Sequence, residues 1–211
     1  MPLPLEHSFP PSYFSRYDES DDRHFYLYPR LTAHIDDAAR RALGQLFREE
    51  LPVGGQVLDL MSSYHTHLPA DLSVGRVVGL GLNEEELQLN ERLDEYLVHD
   101  LNAEPMLPFG DAHFDGALCT VSVQYLTRPI EVFAEVGRVL RPGAPFIVSF
   151  SNRCFPSKAV HVWVCTSDAQ HATLVKQYFT HAGCFTKIRS TDRSPCRWLS
   201  DPLFAVIGRR A

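Results

Sequence analysis

A doubly wound α/β fold, a mostly parallel seven-stranded sheet with an antiparallel C-terminal strand, is predicted by three features of this 211-residue chain. From Gln56 onward, apolar runs of strand length alternate with segments of helical period. That is the pattern of a parallel sheet with helices on both faces. Two of the runs lead into acids, Asp59 and Asp100, and a third into Thr120; such sheets hold ligands at their strand ends. Two further strand patterns lie close together near the C-terminus, which suits an antiparallel edge.

The elements read in order as follows. Residues 1–24 are rich in Pro, Ser and Asp and predict an irregular arm. A helix is expected over His34–Leu51, where Ile35, Ala39, Ala42, Leu43, Leu46 and Phe47 recur every three or four residues. Pro52 and Gly54-Gly55 stop it. Gln56–Leu60 and Arg76–Leu80 read as buried strands. Asn83 then caps a helix, with Glu86 three residues on as in a capping box and Leu82 placed to staple onto Leu87. Tyr96–His99 and Asp115–Val121 are the third and fourth strands. Pro129 suits the first turn of a helix whose buried face is Ile130, Phe133, Val136, Val139 and Leu140. Pro145–Phe150 is the fifth strand, and Ala169–Ala182 a helix with Asp168 as cap and Gly183 as stop. The last two strands fall near Phe185–Ser190 and Leu203–Ile207.

Composition narrows the class. Hydrophobic residues make up 45% of the chain, enough for one core. The predicted organisation is an arm or lid over residues 1–33 and a single domain over 34–211. A net charge of −6 without clustered Lys or Arg disfavours nucleic acid and anionic lipid as partners. No apolar run has the length of a membrane span. Met1–His7 lacks a basic region followed by an apolar stretch, so no signal peptide is expected. Five cysteines at wide spacings, with no CxxC pair, fit a reduced cytoplasmic setting rather than a disulfide framework or zinc ribbon.

Three stretches carry a resemblance. Val57-Leu58-Asp59-Leu60, Leu107-Pro108-Phe109-Gly110-Asp111 with Phe114-Asp115, and Glu135–Gly143 (Glu-Val-Gly-Arg-Val-Leu-Arg-Pro-Gly) together resemble the class I S-adenosylmethionine-dependent methyltransferases of the small-molecule, type 11-like kind. The resemblance spans Gln56–Phe150 and implies a Rossmann-like sheet with S-adenosylmethionine as cofactor and a small molecule as methyl acceptor. The first motif departs from the family pattern. Where the family has Gly-x-Gly-x-Gly, this chain has Met61, Ser63 and His65 at the glycine places, with Ser62 between. Bulky residues there predict an altered loop path, with Met61 or His65 entering the space of the cofactor's methionine part. Where the family has a ribose-binding acid at the end of the second strand, this chain has Gly81. Cofactor affinity is therefore expected to be weak, and Gly81→Asp to tighten it.

The resemblance implies the remaining cofactor residues. Asp100 is placed beside the adenine amino group, with Leu101 and Asn102 lining that site. Thr120, with Val121 and Ser122, is placed in the wall of the methyl-transfer pocket. Asp59 has two readings, orienting loop amides or lying near the ligand. Asn83 either caps its helix or reaches the ribose. Residues 8–36 are expected to cover the strand ends, with Tyr26, Tyr28 and Arg30 facing the pocket; Arg30 either holds the cofactor carboxylate or joins ion pairs that stitch a lid down. Catalytic candidates are His65, which titrates near neutrality, and Tyr125, which either faces substrate or packs under the next helix. His65 and His67 lack the companions of a metal site, so none is expected. Two functions remain open: methyl transfer to a small molecule, or a non-catalytic binding or scaffold protein that has lost the cofactor site. A dinucleotide dehydrogenase is disfavoured, because no G-x-G-x-x-G follows the first strand.

Overall fold

The computed structural model describes residues 9–196 and 198–211. Met1–His7, the stretch read for a signal peptide, lies outside them. Seven strands form one sheet: β1 (Gln56–Leu60), β2 (Arg76–Gly81), β3 (Glu95–Val98), β4 (Gly116–Thr120), β5 (Pro145–Phe150), β6 (Phe185–Asp192) and β7 (Phe204–Arg210). Their order is β3-β2-β1-β4-β5-β7-β6. Pairs β1–β2, β2–β3, β1–β4 and β4–β5 are parallel. Strand β7 alone runs against its neighbours, β5 and β6. This is the predicted doubly wound sheet, and its order reverses between β1 and β4, where ligands are held.

Alternation along the strands divides the core. Val57, Val77, Leu118, Ile147 and Ile207 face one side and pack with Ala39, Leu43, Leu46 and Phe47 of α2 (Asp37–Glu50). Leu58, Leu60, Val78, Leu80, Phe146 and Val148 face the other. There they meet Phe133 and Val136 of α4 (Pro129–Val139), and Leu174, Tyr178 and Phe179 of α6 (Asp168–Ala182).

Helix starts differ from expectation where side chains compete for the cap. α2 begins after Asp36, whose carboxylate accepts the Ala39 amide at 2.8 Å, rather than at His34. α6 is capped by Ser167, not Asp168, because the Ser167 amide donates to Gln170 Oε1 at 3.0 Å and completes a capping box. Gly183 ends it at φ 73°, a left-handed conformation that suits glycine. In α3 (Glu84–Gln88), Asn83 caps the Glu86 amide at 3.0 Å. Glu86 does not close the box, since its carboxylate is used elsewhere.

The arm is more regular than its composition suggested. It holds a 3-10 turn (Pro11–Phe14) and α1 (Asp22–Phe25). Tyr13 is buried in the main core cluster, and Arg16 forms a β-bridge with Val160. α5 (His161–Val164) follows directly and was not foreseen. No helix among the described residues is long and apolar enough to cross a membrane.

Candidate functional site at the strand ends

One cavity of about 560 Å³ opens where β1 to β4 end, and the arm closes its far side. That volume is within the range of small-molecule sites. Four strand-end segments contribute Met61-Ser62, Gly81–Asn83, His99–Asn102 and Thr120–Ser122. Arg153–Phe155 comes from beyond β5, and Asp22, Tyr26 and Ala33–Asp36 from the arm and its junction with α2.

The loop after β1 turns sharply. Met61 has φ 53° and lines the cavity. The Ser62 amide donates to Leu80 O at 2.6 Å, and its hydroxyl donates to Asp59 Oδ2 at 2.6 Å. Asp59 is buried inside the sheet and does not line the cavity. Burial pushes its carboxyl up to about 7, against the opposing Ser62 hydrogen bond. The loop sits directly on β2: a Cβ on Gly81 would fall 2.2 Å from the Ser62 carbonyl oxygen. Gly81 is thus needed for close approach, not for a positive φ. The expected gain from Gly81→Asp is overturned, because its side chain would enter backbone.

Past Gly81, the Asn83 amide is consumed locally. Its Oδ1 caps α3, and its Nδ2 donates to Tyr26 O (2.8 Å) and Leu27 O (3.2 Å) of the arm. Glu86, 5% exposed, lines the cavity and accepts the Arg30 amide at 2.7 Å and the Ser63 hydroxyl. Ser63 itself is held by this bond and by Asn90, and does not line the cavity. Sequence reasoning saw Glu86 only as a capping residue. Its neighbour in space, Ser63, is 23 positions distant, so no local pattern shows its role.

At the β3 end, Asp100 Oδ1 accepts the amides of Asn102 (2.9 Å) and Ala103 (3.3 Å). Leu101 lines the cavity beside it. The Asn102 side chain bridges three segments: Nδ2 donates to Asp22 Oδ2 and Tyr125 O, both at 2.9 Å, and Oδ1 accepts the Thr127 amide at 2.8 Å. At the β4 end the Thr120 hydroxyl is buried, lines the cavity and lacks a hydrogen-bond partner among the described residues. A buried hydroxyl left unpaired costs stability unless a ligand or water satisfies it.

Tyr125 lines the cavity with its ring stacked on Phe155 at 6.0 Å, and its hydroxyl accepts the Phe155 amide at 2.8 Å. Burial pushes the phenol up to about 12, so it stays neutral. His65 does not line the cavity; it lies against Tyr64 at 4.4 Å. Burial of its neighbour His67 pushes that imidazole down to about 3. Among the described residues, no three His, Cys, Asp or Glu side chains are gathered as a metal site. His34, by contrast, lines the cavity, and burial lowers its pKa.

Arm and sheet are clamped by buried charge. Arg16 Nη1 donates to both Asp22 oxygens at 2.8 Å. Lys158, 1% exposed in its side chain, lies 3.2 Å from Asp18 and from Asp22. Arg30 does not line the cavity. Its guanidinium lies over the rings of Phe25 (4.6 Å), Tyr26 (5.3 Å) and Phe155 (5.1 Å) and donates to Phe25 O at 2.9 Å. Tyr26 faces the cavity, whereas Tyr28 is 76% exposed and turns outward.

A methyltransferase domain profile matches residues 57–148. That match covers under half of the chain, and the fold is that of solved methyltransferases. The chain is 33% identical over 81 residues to the biotin biosynthesis bifunctional protein BioHC of Teredinibacter turnerae, covering 36% of this chain and 14% of that protein. It is 30% identical over 80 residues to the O-methyltransferase cnsE of Penicillium expansum, covering 35% and 29%. The chain therefore spans under a third of the length of either relative. A solved S-adenosylmethionine-dependent methyltransferase from Aquifex aeolicus superposes with a TM-score of 0.59 at 17% identity, covering 83% of this chain and 95% of that one.

Proposed function

We propose that this chain binds S-adenosylmethionine at the strand ends and transfers its methyl group to a small molecule. The observation that carries the reading is the single cavity into which the ends of β1 to β4 all open, at the switch point of the sheet. The residues present fit such a ligand. Asp100, Leu101 and Asn102 form a polar-and-apolar wall suited to adenine, and Thr120 offers an unpaired buried hydroxyl. When bound, the sulfonium cofactor supplies an electrophilic methyl group for in-line displacement.

The chain's own residues do the rest. Tyr26, Tyr125 and Phe155 exclude water and orient an acceptor against the strand ends. Tyr125, neutral at physiological pH, donates a hydrogen bond rather than accepting a proton. The neutral imidazole of His34 accepts the acceptor's proton where the acceptor is an O–H or N–H group. Residues 1–33 act as the lid on a domain spanning 34–211.

A second reading, binding without catalysis, is favoured by the Ser62 backbone lying where the family's ribose acid would reach, and by Met61 at the cavity wall. Titration calorimetry with S-adenosylmethionine and S-adenosylhomocysteine separates the two. Saturable one-to-one binding of both supports the cofactor site. No heat with either, on folded protein, sinks it and leaves the non-catalytic reading.

A further inference from the structure

Glu86 is a carboxylate that the fold has buried without an ionic partner. It is 5% exposed, it lines the cavity, and no Arg or Lys side chain pairs with it among the described residues. Arg30 gives it only a backbone N–H at 2.7 Å, its guanidinium being turned onto the rings of Phe25, Tyr26 and Phe155. The Ser63 hydroxyl takes the other oxygen. Each carboxylate oxygen can accept two hydrogen bonds, so both keep an acceptor site. A buried carboxylate is tolerated when donors complete its shell. Here the cavity is the side from which further donors would come.

The position explains why a carboxylate stands there. Gly81 admits the Ser62 carbonyl so closely that no side chain fits at the end of β2. Glu86 reaches the same cavity from the first turn of α3, beyond the Asn83 cap. Two adjacent hydroxyls on a ligand are the donors that match two carboxylate oxygens.

We infer that Glu86 binds the vicinal ribose hydroxyls of an adenosyl ligand, and that it links their capture to the arm, because the same carboxylate holds the Arg30 amide. This rests on the reading of the site given above. Asn83 has no part in it, since both ends of its amide are occupied.

The test is a ligand-and-residue cycle, with calorimetry of wild type and Glu86→Gln against S-adenosylhomocysteine and its 2′,3′-dideoxy analogue. Wild type should prefer the diol by about tenfold or more. Glu86→Gln should narrow that preference to about threefold or less while its melting temperature stays near wild type. Amide exchange at Tyr26–Ala33 should slow on S-adenosylhomocysteine binding in wild type and change less with the dideoxy analogue. Three results overturn the assignment: an undiminished preference in Glu86→Gln, an equal loss for both ligands, or a wild type indifferent to the hydroxyls. The last needs no variant, so it decides even if Glu86→Gln fails to fold. Wild type that binds neither ligand overturns the site reading itself, and the inference falls with it.

Discussion

Asp59 shows how one buried side chain makes stability depend on pH. Its folded pKa of about 7 lies above the ordinary carboxylate value of 3.8 because burial disfavours the charge. The folded state therefore holds a proton that the unfolded chain releases between those values. The stabilisation is fully present below about pH 4 and is lost as pH rises through about 7. Urea denaturation across pH 4–8 should show a fall, up to about 4 kcal/mol at roughly 1.4 kcal/mol per unit, that Asp59→Asn lacks. Gly81 makes the steric counterpart. Gly81→Ala should lower stability by about 1–3 kcal/mol, as overpacking does, because its Cβ meets the immovable Ser62 carbonyl. A melting temperature equal to wild type would show that the loop can lift.

Among the elements, α3 is only five residues long and has a large task. Its cap and first turn hold the arm through Asn83 and Glu86, and the loop after β1 through Glu86. The arm is fixed a second time by Lys158, whose ammonium reaches Asp18, Asp22 and the Ser20 carbonyl at 2.7 Å. Lys158→Ala leaves Asp22 with Arg16 and the Asn102 amide, and breaking a buried pair costs up to about 3–5 kcal/mol. Trypsin should then cut faster at Arg23 and Arg30, read by timed electrophoresis; unchanged cleavage would mean that the apolar contacts of the arm suffice. At α6, Ser167→Ala should cost about 1 kcal/mol by loss of the cap, measurable by the same denaturation.

At the scale of the molecule, arm and strand ends together line the candidate site. Tyr13 shares the main core cluster, and the buried Lys158 ammonium bonds Asp18 and Ser20 of the arm. A chain lacking residues 1–30 should melt at a lower temperature and lose adenosyl-ligand binding, checked by circular dichroism and calorimetry. Normal binding by that truncated chain would refute the lid.

The sequence by itself determined the sheet and its helices. Period-two and period-3.6 burial is a local signal, and it placed β1 and β5 to the residue and α4 from Pro129. It also singled out Asp100, Leu101, Asn102 and Thr120, which meet at one cavity because strand ends in a doubly wound sheet lie on one edge. Only the tertiary structure decided the rest. Arg30 turned from the cavity into aromatic rings, His65 stayed outside, and Glu86 moved from a capping role into the wall. Those outcomes depend on partners more than fifty residues apart, such as Arg30 with Glu86 and Asn83 with Tyr26. Gly81 is the sharpest case. Its lack of a side chain looked like a missing carboxylate, and the folded chain shows it as room for a crossing backbone, a contact that no local pattern encodes.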